Sequence, residues 1–235
     1  ISKLYASAFF AGENFGTLFV PFLKYHALNG LQNPYSFFHE LGVTEIFPYP
    51  QLMLYIMSLP GMIFKPLLDT DIYSVSTTEL FIYHLPILIA DVVILIILAR
   101  WLKNKQTELL LFYWLSPILF YINYLHSQLD AIPIALVFVF LYFLFKEKWL
   151  ISFLFLGAAI ATKFHIVIIV PFVLVYLYRK HGTLRLPVAC AGVIGTSFIV
   201  LNNVQLLNTA FLTIVFNNRE QLKIFDLQVH LNDVN

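Results

Sequence analysis

The chain has 235 residues, of which 60% are hydrophobic and 11% charged, with 24 phenylalanines and a formal net charge of +1. Soluble domains carry about 25% charged residues, and a soluble core of this size could not hide so much apolar surface, whereas a lipid bilayer can. The near-neutral balance gives no global attraction to nucleic acid, and one cysteine, Cys190, excludes an internal disulfide framework and a Cys-rich zinc site.

The chain begins at Ile1 and stops at Asn235 in a polar stretch, and both ends are expected to be cuts within a longer protein. Residues 1–79 are expected to form an outer (extracytoplasmic) segment. Within it, Phe15–Leu28 is aromatic and amphipathic enough to lie along the membrane surface. Asn29–Glu45 reads as a polar loop. Pro50–Leu68 is apolar but broken by Pro60-Gly61, so it is either a membrane-dipping, interfacial helix or a real span. The acidic character of residues 1–49 favours the former.

A span needs roughly 17–25 mainly apolar residues. Residues 80–203 supply six candidates: Leu80–Leu98, Leu109–Leu125, Ala131–Phe145, Leu150–Ala161, Ile166–Tyr178 and Leu186–Leu201. The shorter ones are expected to tilt, thin the bilayer or end in the interface. Residues 204–235 open a further outer loop. The apolar runs do not alternate, so a membrane barrel is excluded. The expected fold is therefore all-α, a multi-pass transmembrane helical protein whose outer loop carries membrane-surface helices.

Basic residues orient it. Arg100, Lys103 and Lys105 follow the first span, Lys146 and Lys148 the third, and Arg179, Lys180 and Arg185 the fifth. These alternate loops share one side, and basic loops stay cytoplasmic. The opposite side then receives Glu13, Glu40, Glu45, Asp69, Asp71, Glu79, Asp130, Glu220, Asp226 and Asp233, ten of the 13 acids.

With this topology the candidate site residues collect at the outer helix ends. His126, Gln128 and Asp130 lie in the turn Leu125–Asp130, Lys163 and His165 in a second turn, and Glu13 in the N-terminal segment. Ionisable groups at membrane depth are costly and mark functional sites. The competing reading is that each is an ordinary helix end in the headgroup zone, satisfied by water. Asp91, mid-span, needs a partner and is read as helix packing rather than chemistry. The seven histidines show no metal-ligand spacing, and no P-loop or nucleophile elbow occurs. Gly192-Val193-Ile194-Gly195 is read as a close helix contact. No internal repeat supports an inverted-repeat transporter.

The run from Pro117 to Phe172 (PILFYINYLHSQLDAIPIALVFVFLYFLFKEKWLISFLFLGAAIATKFHIVIIVPF) resembles the multi-span glycosyltransferases of the GT-C fold. Those have a Pro-bearing helix, an outer turn like G-Q-x-D or H-F-Q, a short basic loop, and a small-residue helix ending near a lysine. Here the turn is His126-Ser127-Gln128-Leu129-Asp130 and the lysine is Lys163. The N-terminal part is similar to the family's first outer loop, with an acid, a surface helix, Asn33-Pro34-Tyr35 and a Tyr-Pro-Pro-Leu-like helix start. Gly12-Glu13-Asn14 replaces the usual Asp pair, and Gln51 replaces the second proline. The resemblance spans nearly the whole chain but only the N-terminal half of a typical member.

It implies transfer of a sugar from a polyprenyl-phosphate donor to a glycan, lipid or protein acceptor on the extracytoplasmic or luminal side. Glu13 matches the family's general base, which takes the acceptor hydroxyl proton. Lys163 and His126 are candidates to meet the leaving phosphate, with Gln128, Asp130 and His165 as further substrate contacts. No protein-bound metal is assigned, and participation of a divalent cation is left open. A transporter or lipid flippase, and a non-catalytic membrane subunit, are the competing classes.

Overall fold

In the computed structural model, residues 1–30, 32–203 and 208–216 are described, and all regular structure among them is helical. The chain opens with α1 (Ser2–Phe9), then a π-helical turn, Phe15–Phe19, that runs into α2 (Val20–Leu28). Asn33-Pro34 starts α3 (Pro34–Glu40): the Asn33 side chain accepts the Tyr35 N–H at 3.0 Å, and Pro34 takes the first helical position, where its missing N–H costs nothing. Next comes α4 (Gln51–Ile63). Ser76 and Glu79 close a reciprocal capping box at the head of α5 (Thr77–Trp101).

The second half is a run of helices joined by short turns. α6 (Gln106–Leu109) with the π-helical stretch Leu110–Trp114, and α7 (Pro117–Phe120) with Tyr121–Leu125, form a pair bent by 42°. The bend sits at Leu115-Ser116, where Pro117 denies the first helix a continuing N–H and Ser116 caps the second. Then follow α8 (Ala131–Phe145), α9 (Trp149–Thr162), a 3₁₀ turn Phe164–Ile168 leading into α10 (Ile169–His181), and α11 (Arg185–Asn202). Three helices, Thr77–Trp101, Phe164–His181 and Arg185–Asn202, are long and apolar enough to cross a membrane, or four if the bent pair counts as one. α8 and α9, with 15 and 14 residues, reach only about 21–23 Å at 1.5 Å per residue. Each expected span nevertheless coincides with a helix or with the bent pair. The stretch 204–235 is described only at 208–216, where Thr209–Phe216 forms α12; Glu220, Asp226 and Asp233 lie outside the described residues.

Three local expectations are corrected. α4 passes unbroken through Pro60-Gly61, and the glycine lets α4 approach α5: a Cβ there would sit 2.5 Å from the Tyr83 hydroxyl. In α2, Val20, Phe22, Leu23 and Ala27 are all buried against α3, α4 and Phe47. The segment Asn29–Glu45 contains α3. Gly192 and Gly195 have open space around them, and the close contact is instead at Gly157, where a Cβ would run into Ser197 of α11.

Two cores result. The first packs α2–α5 and the head of α8 around an aromatic nest in which Phe22 meets Tyr35, Phe38 and Phe47 at 4.9–5.4 Å between ring centroids. The second packs α8–α11 around Phe140, Phe153, Leu156 and Leu177. Outside them, Ile89, Val92 and Ile96 of α5 and Phe172 and Val175 of α10 are exposed.

Buried charge ties the N-terminal segment to this frame. Lys24 and Glu79, both fully buried, pair at 2.5 Å, and Lys24 also donates to the carbonyls of Asp71 and Ser74. Glu79 in turn accepts the N–H groups of Asp69 and Ser76, so every strong demand of the pair is met. Asp91, half-way along α5, accepts from Lys3 at 2.5 Å, Tyr113 at 2.7 Å and Tyr124 at 2.6 Å, and the Lys3 ammonium lies 3.7 Å from the Trp114 ring centroid. Asp91 thus packs helices together, as expected. His26, beside Ser58 at 3.0 Å, is a core histidine that burial pushes down to about 4 and so keeps neutral.

Removing one partner of a buried ion pair costs about 3–5 kcal/mol, whereas replacing both by apolar residues is often neutral. Lys3→Met and Asp91→Asn are therefore each expected to lower the thermal midpoint in detergent sharply, and Lys3→Met/Asp91→Leu to recover much of the loss. Single variants that melt with the parent would show that the pair contributes nothing to stability.

Candidate functional site

The three basic clusters meet at one end of the helix array. Arg100 and Lys146 both donate to the Tyr142 hydroxyl, at 3.2 and 2.7 Å, and Lys180 pairs with Glu147 at 2.5 Å, which holds the Glu147 carboxyl below its usual range. α8 and α9 run from one end to the other, so the turns at His126–Asp130 and Lys163 occupy the opposite end.

There the chain leaving α1 crosses the His126–Asp130 turn. Gly12 lies so close that a Cβ would stand 2.2 Å from the His126 carbonyl oxygen; only glycine fits. The Gly12 N–H donates to Ser127 Oγ at 3.2 Å. His84 Nδ1 lies 2.8 Å from the Leu80 carbonyl, and its Nε2 lies 2.9 Å from Ser127 Oγ. The Phe15 ring packs on the His84 ring at 4.5 Å. Ser127 is buried and has a φ of 58°, a backbone state that costs a non-glycine residue about 1–3 kcal/mol and collects at functional sites. Glu13, next to Gly12, is exposed, and so are His126 and Gln128.

A second cluster adjoins the turn. Asp130 and Lys163 form an ion pair, joining the head of α8 to the tip of α9, and both side chains remain partly exposed. The ring of Tyr49, at the start of α4, lies 5.9 Å from the Lys163 ammonium. Burial raises the Tyr49 phenol above its ordinary value, and the charge of Asp130 adds to the rise. His165, two residues beyond Lys163, is exposed and in electrostatic range of both partners.

All six expected site residues therefore stand at the same end. Direct contacts join Gly12 to Ser127 and Asp130 to Lys163; among the described residues no hydrogen bond or ion pair joins the Glu13 carboxylate to the other five. No group of three His, Cys, Asp or Glu side chains converges as metal ligands would, among the described residues. Reading the sequence missed Ser127, His84 and Tyr49. Ser127 stood inside the quoted turn, but its positive φ has no sequence signal. Tyr49 was visible only as part of the helix-start pattern.

Comparison with protein-family models, curated proteins and solved structures finds no match for this chain.

With Cys190 replaced by serine, Glu13→Cys, Gln128→Cys and His165→Cys are expected to react with an impermeant thiol reagent from one face of a sealed membrane. Lys103→Cys and Lys146→Cys should react only from the other. Labelling of positions 128 and 146 from the same face would refute the two-ended arrangement.

Proposed function

We propose that the chain is the N-terminal part of a multi-pass membrane glycosyltransferase that uses a polyprenyl-phosphate sugar on its extracytoplasmic or luminal side. The observation that carries this reading is the meeting of an exposed carboxylate segment, Gly12-Glu13, with the His126–Asp130 turn and Lys163 at the end remote from the basic loops. The order of motifs, which resembles the GT-C glycosyltransferases, supplies the reaction class.

Two further features support it. The exposed apolar faces of α5 and α10 suit lipid rather than water. An apolar crevice of about 350 Å³ runs between α4, α5, α8 and α9, lined by Ile56, Pro60, Pro86, Ile89, Ile132 and Val139. It begins at Ile132, two residues after Asp130, so an isoprenoid chain could lie there with its phosphate near the Lys163 ammonium. A larger groove of about 560 Å³, between α9 and α11, has no charged residue in its lining and no link to the site.

In this mechanism the acceptor hydroxyl oxygen attacks the anomeric carbon while the Glu13 carboxylate takes its proton. The bond from that carbon to the phosphate oxygen breaks, and its electron pair leaves on the polyprenyl phosphate. One N–H of Lys163 is engaged by Asp130, and its other two are available to the phosphate oxygens. Tyr49, protonated at neutral pH, keeps its hydroxyl proton throughout.

Glu13→Gln, assayed in the full chain in liposomes, should lower sugar transfer by about 10²–10⁴-fold, the usual contribution of a general base, with binding of polyprenyl phosphate retained. Lys163→Ala should weaken that binding as well. Near-parental transfer by Glu13→Gln would remove Glu13 from the mechanism. Lipid movement across the bilayer that is indifferent to Glu13, with no transfer, would favour a flippase.

A further inference from the structure

We infer that Ser127 is a positioning residue: its hydroxyl, oriented by His84, anchors the Gly12 N–H and thereby sets where the Glu13 carboxylate stands beside the His126–Asp130 turn. Its catalytic consequence rests on the transferase reading above; the anchoring itself does not.

The turn does not need the Ser127 side chain to keep its own shape. The His126 N–H reaches the Tyr121 carbonyl at 2.8 Å, the Gln128 N–H the Ile122 carbonyl at 3.0 Å, and the Ile132 N–H the Leu129 carbonyl at 3.1 Å. What the hydroxyl adds is a cross-link between parts of the chain 115 residues apart, with His84 of α5 as the third member. The hydroxyl oxygen accepts from the Gly12 N–H and lies within hydrogen-bond distance of His84 Nε2, so it is held from two sides. His84 is itself immobilised by the Leu80 carbonyl and by Phe15. Phe15 lies two residues beyond Glu13, so the same imidazole steadies the acid from both sides in sequence.

Glu13 is then fixed from its own side. The Gly16 N–H donates to the Gly12 carbonyl at 3.1 Å, and the Thr17 hydroxyl donates to the Glu13 carbonyl at 2.7 Å. The backbone on both sides of the acid is held while its carboxylate remains exposed. This is the arrangement that a base needs when it must meet a substrate proton from a fixed point. The positive φ of Ser127 accords with a residue kept for its hydroxyl, since glycine would adopt that backbone more easily but could not make the link.

The test uses the full chain in lipid nanodiscs, with Asn14→Cys and Gln128→Cys spin-labelled in a Cys190→Ser background. The parent should give a narrow distance distribution between the labels. Ser127→Gly and Ser127→Ala should broaden it, and the glycine variant, freed of its strained φ, should melt no lower than the alanine one. Gly12→Ala should separate the same elements by steric conflict with the His126 carbonyl. In unlabelled enzyme, Ser127→Gly should lower kcat by about 10–100-fold, as a misplaced catalytic group does, with KM for the polyprenyl-phosphate sugar little changed. An unchanged distance distribution in both Ser127 variants would overturn the anchor. A broadened distribution with parental kcat would overturn its role in setting Glu13. A parent without transfer activity, but with broadening in Ser127→Gly, would overturn the transferase reading and leave the anchor standing.

Discussion

A carboxylate in the middle of an apolar helix has to be answered by other chain groups, and Asp91 is answered from three directions. Lys3, Tyr113 and Tyr124 converge on it from α1 and from both halves of the bent pair. An uncompensated charge at that depth costs several kcal/mol, so the demand of one side chain decides where eight N-terminal residues lie. α1 could otherwise slide, since its outward face is the apolar set Leu4, Tyr5 and Phe9, which any lipid-like surface would accept. Once Lys3 is committed to Asp91, Gly12 is delivered to the His126 carbonyl and Glu13 to its place beside the turn. The acid at the surface is thus indexed by a salt bridge in the interior.

The Lys24–Glu79 pair acts in the same way on the next segment. It clips residues 69–76 onto α2 and, through the capping box, fixes the start of α5. Both pairs are heavily hydrogen-bonded, which is the condition under which a buried ion pair is tolerated. They leave the second core, built from Phe, Leu and Ile contacts, without any comparable demand.

The helices of the second half were legible in the sequence because long apolar runs separated by charged or Pro-bearing turns admit few other readings. Asp91 was legible as a group in need of a partner, though not which partner, because Lys3 looked like part of an outer segment. What could not be read has physical reasons. The burial of α2 depends on aromatic partners contributed by α3 and by Phe47, and its own residues are equally compatible with a membrane surface. The Gly192-Gly195 spacing mimics a helix contact, yet contact depends on which face meets the neighbour, and Gly157 does so instead. At the site, the residue types that carry charge were identifiable, whereas the Ser127–His84 link was not, since it depends on a backbone state and on a histidine 43 positions earlier.

The division into two cores has a mechanical side. α8 contributes its first turns to one core and its last turns to the other, so the two packed halves share a single continuous beam. Asp130 is rooted in the first half, between Leu129 and Ala131, and Lys163 stands at the tip of α9, whose Leu156 and Ile160 belong to the second. Their ion pair straddles the seam. A hinge along α8 would alter the Asp130–Lys163 pair together with the hydrogen bond from the Gln51 N–H to Asn202, which also joins the two halves.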